Sequence, residues 1–235
     1  MSPSPAGGRP RGAVRGAGAV MAGRKEPVDS LDYFPTPPWA TRALVECVIR
    51  PLFPQPERFS VWEPACGEGH MARPLGETFR DVYASDIFPY GYGDVADFLP
   101  GGMLAAAARR ADWIITNPPF KAGLEFAKRA LELADVGVAL LVRTQFIEGG
   151  DRYRQLFQVA PPAVLAPFVE RAPMVRGRVD GDATSATSYS WLLWVKNDTD
   201  RPARGECVVR WIPPCRARLE RPGDYAPQDL RGSLL

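Results

Sequence analysis

The stretch "ADWIITNPPFKAGLEFAKRALELAD", residues 111–135, decides the fold. Its first six residues are a short apolar run suited to a buried strand. Its second half spaces Leu124, Ala127, Leu131 and Ala134 at helical intervals, so a helix with that face inward is expected. Between them stands Asn117-Pro118-Pro119-Phe120. A plain strand-to-helix turn needs neither two prolines nor an amide followed by an aromatic ring. The turn therefore asks for a chemical explanation, and the flanking chain supplies it.

Upstream, "RFSVWEPACGEGHMARPL" (58–75) reads as strand, glycine loop and short helix, and "VYASDIF" (82–88) as a second strand ending in an acid. Downstream, "VGVALLVRTQF" (136–146) is another buried strand. "TPPWATRALVECVIRP" (36–51) opens with Thr36 as a helix cap and prolines in the first turn. Ala40, Leu44, Cys47 and Val48 follow at helical spacing. Strands alternating with helices predict an α/β fold with a mostly parallel sheet covered on both faces. The closing runs "SYSWLLWVK" (188–196) and "ECVVRWIP" (206–213) suit a terminal antiparallel pair.

Composition narrows the classes. The 235 residues are 46% hydrophobic and 24% charged, enough for one sizeable core. No apolar run approaches the roughly 18 residues of a membrane span. Cys47, Cys66, Cys207 and Cys215 have no CxxC spacing, and His70 is the sole histidine. A metal site is not expected, and a reduced, cytoplasmic protein is. The net charge of +2 hides an asymmetry: residues 1–25 hold Arg9, Arg11, Arg15, Arg24 and Lys25 and no acid, leaving 24 basic against 27 acidic residues after them. Any nucleic-acid surface must then be local. We read residues 1–27 as a disordered Gly/Pro/Arg-rich head, 28–215 as the functional domain and 216–235 as a tail.

In open α/β sheets ligands bind beyond the carboxyl ends of the strands, and here those ends carry chemistry. The first strand leads into Glu63-Pro64-Ala65-Cys66-Gly67-Glu68-Gly69. Gly67 and Gly69 permit close backbone approach. Glu63 and Glu68 would repel a pyrophosphate and attract a cation. Asp86 ends the second strand about twenty residues after the glycine loop, the spacing of an acid that holds ribose hydroxyls. Ribose, positive charge and a planar group together point to S-adenosylmethionine.

The loop Glu63–Gly69 followed by Asn117–Phe120 resembles the amino-methyltransferases that modify adenine N6 in DNA, with a Rossmann-like class I fold. "DYFPTPPWATRAL" (32–44) resembles the cofactor motif preceding the glycine loop in one permutation of that family. "LLVRTQFIEG" (140–149), "FVERAPMV" (168–175) and "ATSATSYSWLLW" (183–194) are similar to segments of its small phage- and prophage-type members. The resemblance spans roughly residues 31–215. It implies that Glu63 pairs with the methionyl ammonium. Pro64, Cys66, Gly67 and Gly69 would then line the methionyl and ribose parts, and Asp86 would hold the ribose. Asp97 and Phe98 in "VADFL" would read the cofactor's adenine, with Phe34, Thr36, Pro37 and Asn117 completing the site.

For such an enzyme the turn has a reason to exist. An adenine amine is a poor nucleophile because its lone pair is delocalised. The Asn117 side-chain oxygen and the Pro118 carbonyl are two acceptors that draw it towards tetrahedral geometry. Pro118 and Pro119 stiffen the turn, and Phe120 stacks on a base extruded from the helix. Direct transfer needs no covalent intermediate, so Cys66 is not a nucleophile. Arg143 and Arg152 after the fourth strand, and Arg171, Arg176 and Arg178 in the 149–188 region, are the expected DNA contacts. That region is expected to be a DNA-contacting insert. Two alternatives stay open: methylation of RNA or of protein glutamine, which uses related Asn-Pro-Pro turns, and a non-catalytic DNA-binding module that keeps the fold.

Overall fold

The computed structural model describes residues 32–101, 109–196 and 206–225, all within the unit Asp32–Leu235. The head expected over residues 1–27 lies outside the described residues, as do residues 226–235 of the expected tail.

Helix α1 (Pro38–Leu44) starts with proline in its first turn and runs through a π-helical segment, Val45–Ile49, into α2 (Arg50–Leu52). Then come β1 (Ser60–Glu63), α3 (Ala72–Gly76), β2 (Asp81–Asp86), β3 (Asp94–Val95), β4 (Ala111–Thr116), α4 (Gly123–Leu133) and β5 (Ala134–Arg143). The chain closes with α5 (Gly150–Arg152), β6 (Val164–Pro167), β7 (Tyr189–Val195), β8 (Val208–Val209) and α6 (Arg216–Leu219). The eight strands form one sheet in the order β3-β2-β1-β4-β5-β7-β6-β8. Strands β1–β5 are mutually parallel, and β7 runs antiparallel between β5 and β6.

The inner strands are apolar in nearly every position because both sheet faces are covered, as parallel sheets demand. Alternate residues feed two cores. Trp113, Ile115, Ala139, Leu141, Trp191 and Leu193 pack towards α1, while Ile114, Val138, Leu140, Leu192 and Trp194 pack towards α4. Every residue of α1 is buried. Even Arg42 is enclosed, its guanidinium donating to Glu77 (2.9 Å), Asp224 (2.7 and 2.9 Å) and the Leu219 carbonyl (2.8 Å). Burial opposes its charge, but the two carboxylates outweigh that and hold it firmly protonated.

Several expectations change. The buried stripe of α4 is Gly123, Phe126, Ala127, Ala130 and Leu133; Leu124 and Leu131 sit at its margin and Ala134 already begins β5. The antiparallel pairing of β7 is with β5 and β6, whereas β8 pairs with β6 in parallel. Residues 216–225, set apart as tail, fold against α1 through buried Leu219 and the Arg42–Asp224 bonds. Much of 149–188 is no insert either: β6 lies inside the sheet, and Leu156, Ala163, Ala172 and Met174 belong to the cores.

Candidate active site

Because β1, β2, β4 and β5 are parallel, Glu63, Asp86, the turn after Thr116 and Arg143 meet at one rim of the sheet. Glu63 is 2% exposed, and its Oε2 has no hydrogen-bond partner among the described residues. Burial, reinforced by the neighbouring Asp86 charge, pushes its carboxyl well above the usual carboxylate range, against the backbone N–H of Ala72. A desolvated carboxyl with one oxygen unpartnered holds its proton or is completed by a cation.

The glycine loop turns with Gly67 at φ 51° and Gly69 at φ 83°, left-handed values that glycine alone adopts readily. It is also crowded. A Cβ on Gly67 would strike the Tyr33 ring, and one on Gly69 would lie 2.7 Å from the Tyr92 ring. Asp86 braces the loop: Oδ2 accepts from the Gly67 N–H (2.8 Å) and Oδ1 from the Phe88 N–H (3.0 Å). A carboxylate offers about four acceptor sites, so capacity remains for a further donor. Burial raises the Asp86 pKa, partly offset by those two amides and that of Ile87. Pro64 is buried beside Glu63. Cys66 is 4% exposed, and burial pushes its thiol far up, so it stays protonated and inert. His70 is buried against Glu68 at 3.2 Å, and burial keeps its pKa down despite that carboxylate.

The acceptor side is fixed from the opposite end of the sequence. Asn117 Nδ2 donates to the Phe34 carbonyl (2.8 Å) and to Thr36 Oγ1 (3.2 Å). Two acceptors on one side of the amide set its orientation. Asn117 Oδ1 is left buried with no partner among the described residues. Thr36 therefore does not cap α1, whose cap is Pro37 without a side-chain bond; its hydroxyl serves Asn117. The turn is pinned again where the Phe120 N–H donates to Asp32 Oδ2 at 2.6 Å. The Phe120 ring lies 5.0 Å from Phe34 and 6.4 Å from Tyr189, with the Arg143 guanidinium over it at 3.8 Å.

Most of the remaining expected residues have partners of their own. Phe98 is 3% exposed, edge-on to Trp62 (5.1 Å) and against Phe126 (5.0 Å), and Asp97 accepts the Leu99 N–H in a local turn (2.9 Å). Arg152 lies beside Phe146 and donates to the Glu148 carbonyl. Arg171 donates to the Ser185 carbonyl (3.0 Å) and Arg178 pairs with Asp180 (2.9 Å), while Arg176 is exposed. Their loop is tethered to the rim by Gly177 N–H to the Tyr33 carbonyl (3.0 Å) and Thr144 N–H to the Ser188 carbonyl (2.9 Å). Sequence reasoning missed Asp32 and Tyr33. Tyr33 stacks on Tyr90 at 4.5 Å, and its hydroxyl accepts the Glu68 N–H at 3.3 Å. The only signal was their place just ahead of Phe34 and Thr36.

No protein-family model matches the chain, and no curated protein matches it in sequence. Solved structures do share its fold. A type I restriction-modification system methyltransferase subunit from Streptococcus thermophilus aligns over 82% of this chain and 49% of its own, at 11% identity and TM-score 0.53. A modification subunit assigned to a type I restriction enzyme from Vibrio vulnificus aligns over 83% and 50%, at 15% identity and TM-score 0.52. A protein assigned to the class I S-adenosylmethionine-dependent methyltransferases, from Listeria monocytogenes, aligns over 78% and 67%, at 13% identity and TM-score 0.52. The chain spans about half the length of the two restriction-modification subunits. The protein has the Rossmann-like class I methyltransferase fold. Among the described residues no helix is long and apolar enough to cross a membrane, and no group of three His, Cys, Asp or Glu side chains could hold a metal ion.

Proposed function

We propose that this chain transfers a methyl group from S-adenosylmethionine to the N6 amine of an adenine extruded from DNA. The observation that carries the reading is Asn117 Oδ1, a buried acceptor without a partner among the described residues, its amide held by Phe34 and Thr36.

The residues suit the cofactor. The orphaned Glu63 carboxylate matches an ammonium, the Gly67–Gly69 loop allows close approach, and Asp86 has lone pairs to spare for ribose hydroxyls. Asp97 keeps one carboxylate oxygen beyond the one that accepts the Leu99 N–H, and it and Phe98 are assigned to the cofactor's adenine. When bound, S-adenosylmethionine supplies an electrophilic methyl carbon. The chain's own residues then act on the amine. Asn117 Oδ1 and the Pro118 carbonyl accept its two hydrogens, turning the nitrogen lone pair out of the ring and offsetting the positive charge that develops there. An amide oxygen is no base, so the surplus proton leaves to water. Because both acceptors are fixed before the amine arrives, little reorganisation accompanies the reaction.

DNA rather than RNA or protein is favoured by the segment 32–37, which resembles the upstream motif of adenine-DNA enzymes and here clamps Asn117 and Phe120. The exposed arginine loop tethered at the rim suits phosphates. The test is incubation with labelled S-adenosylmethionine and, side by side, genomic DNA, ribosomal RNA and peptide, followed by nucleoside analysis. Label in N6-methyladenine of DNA is expected. Label confined to RNA or peptide would transfer the chemistry to those substrates, and no label anywhere would defeat it.

A further inference from the structure

We propose that Arg143 is the gate of the target-nucleotide pocket, docked on Phe120 in the free protein and withdrawn to a substrate phosphate as a base enters. The inference rests on the reading above and adds what form of substrate the site accepts.

Strand β5 pairs Leu140 with Thr116, so its last residue, Arg143, emerges beside the Asn117–Phe120 turn. A cavity of about 180 Å³ opens there, walled by Pro118, Phe120, Arg143, Gln145, Phe146 and Arg152. The guanidinium carbon of Arg143 stands 3.8 Å from the Phe120 ring centroid and 6.0 Å from that of Phe34. At that separation it covers a face of the ring, and both side chains line the cavity, so it occupies a surface on which a base would stack. Phe34 and Tyr189 flank the ring elsewhere. A base cannot take the platform while the guanidinium holds it.

Two observations mark the docked state as provisional. No carboxylate pairs with Arg143 among the described residues, and its buried Nε has no hydrogen-bond partner there. The neighbouring Tyr189 hydroxyl is a neutral, modest partner. Arg152 differs, since its guanidinium is engaged by the Glu148 carbonyl and the Phe146 ring. The sign of the charge is also wrong for the chemistry. The amine becomes positive beside Asn117 and Pro118, and a guanidinium on the same wall opposes that charge. A phosphate, which a guanidinium binds through two parallel N–H bonds, is the partner that draws Arg143 away. The gate thereby couples base entry to a phosphate-bearing strand and excludes the free nucleoside, whose ring would fit but whose phosphate is missing.

The test compares wild type with Arg143→Met and, in case the apolar replacement disturbs folding, Arg143→Gln, with melting curves as controls. Binding of 2-aminopurine 2′-deoxyriboside is followed by quenching of its emission, and methyl transfer is measured to 2′-deoxyadenosine and to an adenine-containing oligonucleotide. Both variants should bind and methylate the nucleoside at least about tenfold better than wild type. On the oligonucleotide they should lose about tenfold in kcat/KM, through KM. A proportional fall on both substrates, or an unchanged preference, overturns the gate. If wild type methylates no DNA at all, the proposed function falls, yet the quenching arm needs no turnover and still decides whether Arg143 blocks the ring.

Discussion

The two halves of the rim are built on opposite principles. The glycine-loop side is electrically stressed: Glu63 and Asp86 lie close together, buried, with pKa values raised by that burial. The Asn117 side is neutral and mechanically fixed, by two prolines, by Phe34 and Thr36 on the amide, and by Asp32 on the Phe120 N–H. The difference teaches what each half is for. A site that must attract a cation can store unfavourable charge, which the ligand relieves on binding. A site that must shape a neutral amine gains most from acceptors already in position.

If that division is right, mutations on the two sides should fail differently. Asn117→Ala should give the largest effect, a fall in kcat of about 10²- to 10³-fold, with cofactor affinity by calorimetry within a few-fold of wild type. Equal loss of affinity would erase the distinction. Glu63→Gln should do the reverse, weakening the cofactor by about 10- to 100-fold, the worth of a hydrogen bond to a charged group. It should also raise the melting temperature of the free protein at neutral pH. The sign follows from linkage: a carboxyl whose folded pKa is raised favours the folded state in acid, and that contribution is lost as pH rises through the folded value. Removing the charge restores it. Correspondingly, wild-type cofactor affinity should fall as pH drops through the raised Glu63 pKa, and the variant should be flat there.

Asp32→Ala is expected to lower kcat by about tenfold, because it frees the Phe120 peptide without touching the acceptors; titration of the cofactor should be unaffected. Smallest of all, Arg176→Ala should change KM for DNA only slightly and reduce the slope of log affinity against log salt by about one. A large loss of kcat from Arg176→Ala would put the loop inside the reaction rather than beside it.

Much of the frame was readable because buried parallel strands and the residues ending them are local in sequence: β1 with Glu63, β2 with Asp86 and β4 with Asn117 needed no long-range information. What failed was long-range or short. Strands β3 and β8 have two residues each, and β6 has four, too few for periodicity to speak. The partner of β7 is fixed by chain crossover, which composition does not encode. Thr36 looked like a cap because a hydroxyl before prolines usually is one; its use as an acceptor for Asn117 depends on a contact 81 positions away. Phe98 likewise packs between Trp62 and Phe126, contacts 36 and 28 positions away that its local segment does not mark. Tyr33 on Tyr90 spans the same kind of gap and left no mark in either local segment.

One observation would decide between the two halves' assigned roles: the structure of a complex with a cofactor analogue bearing an amine where S-adenosylmethionine carries its methyl sulfonium. That amine should lie about 3 Å from Asn117 Oδ1, with the methionyl ammonium at Glu63 Oε2. An analogue bound with its amine away from Asn117, or an Asn117 oxygen turned to a partner within the protein, would contradict the account.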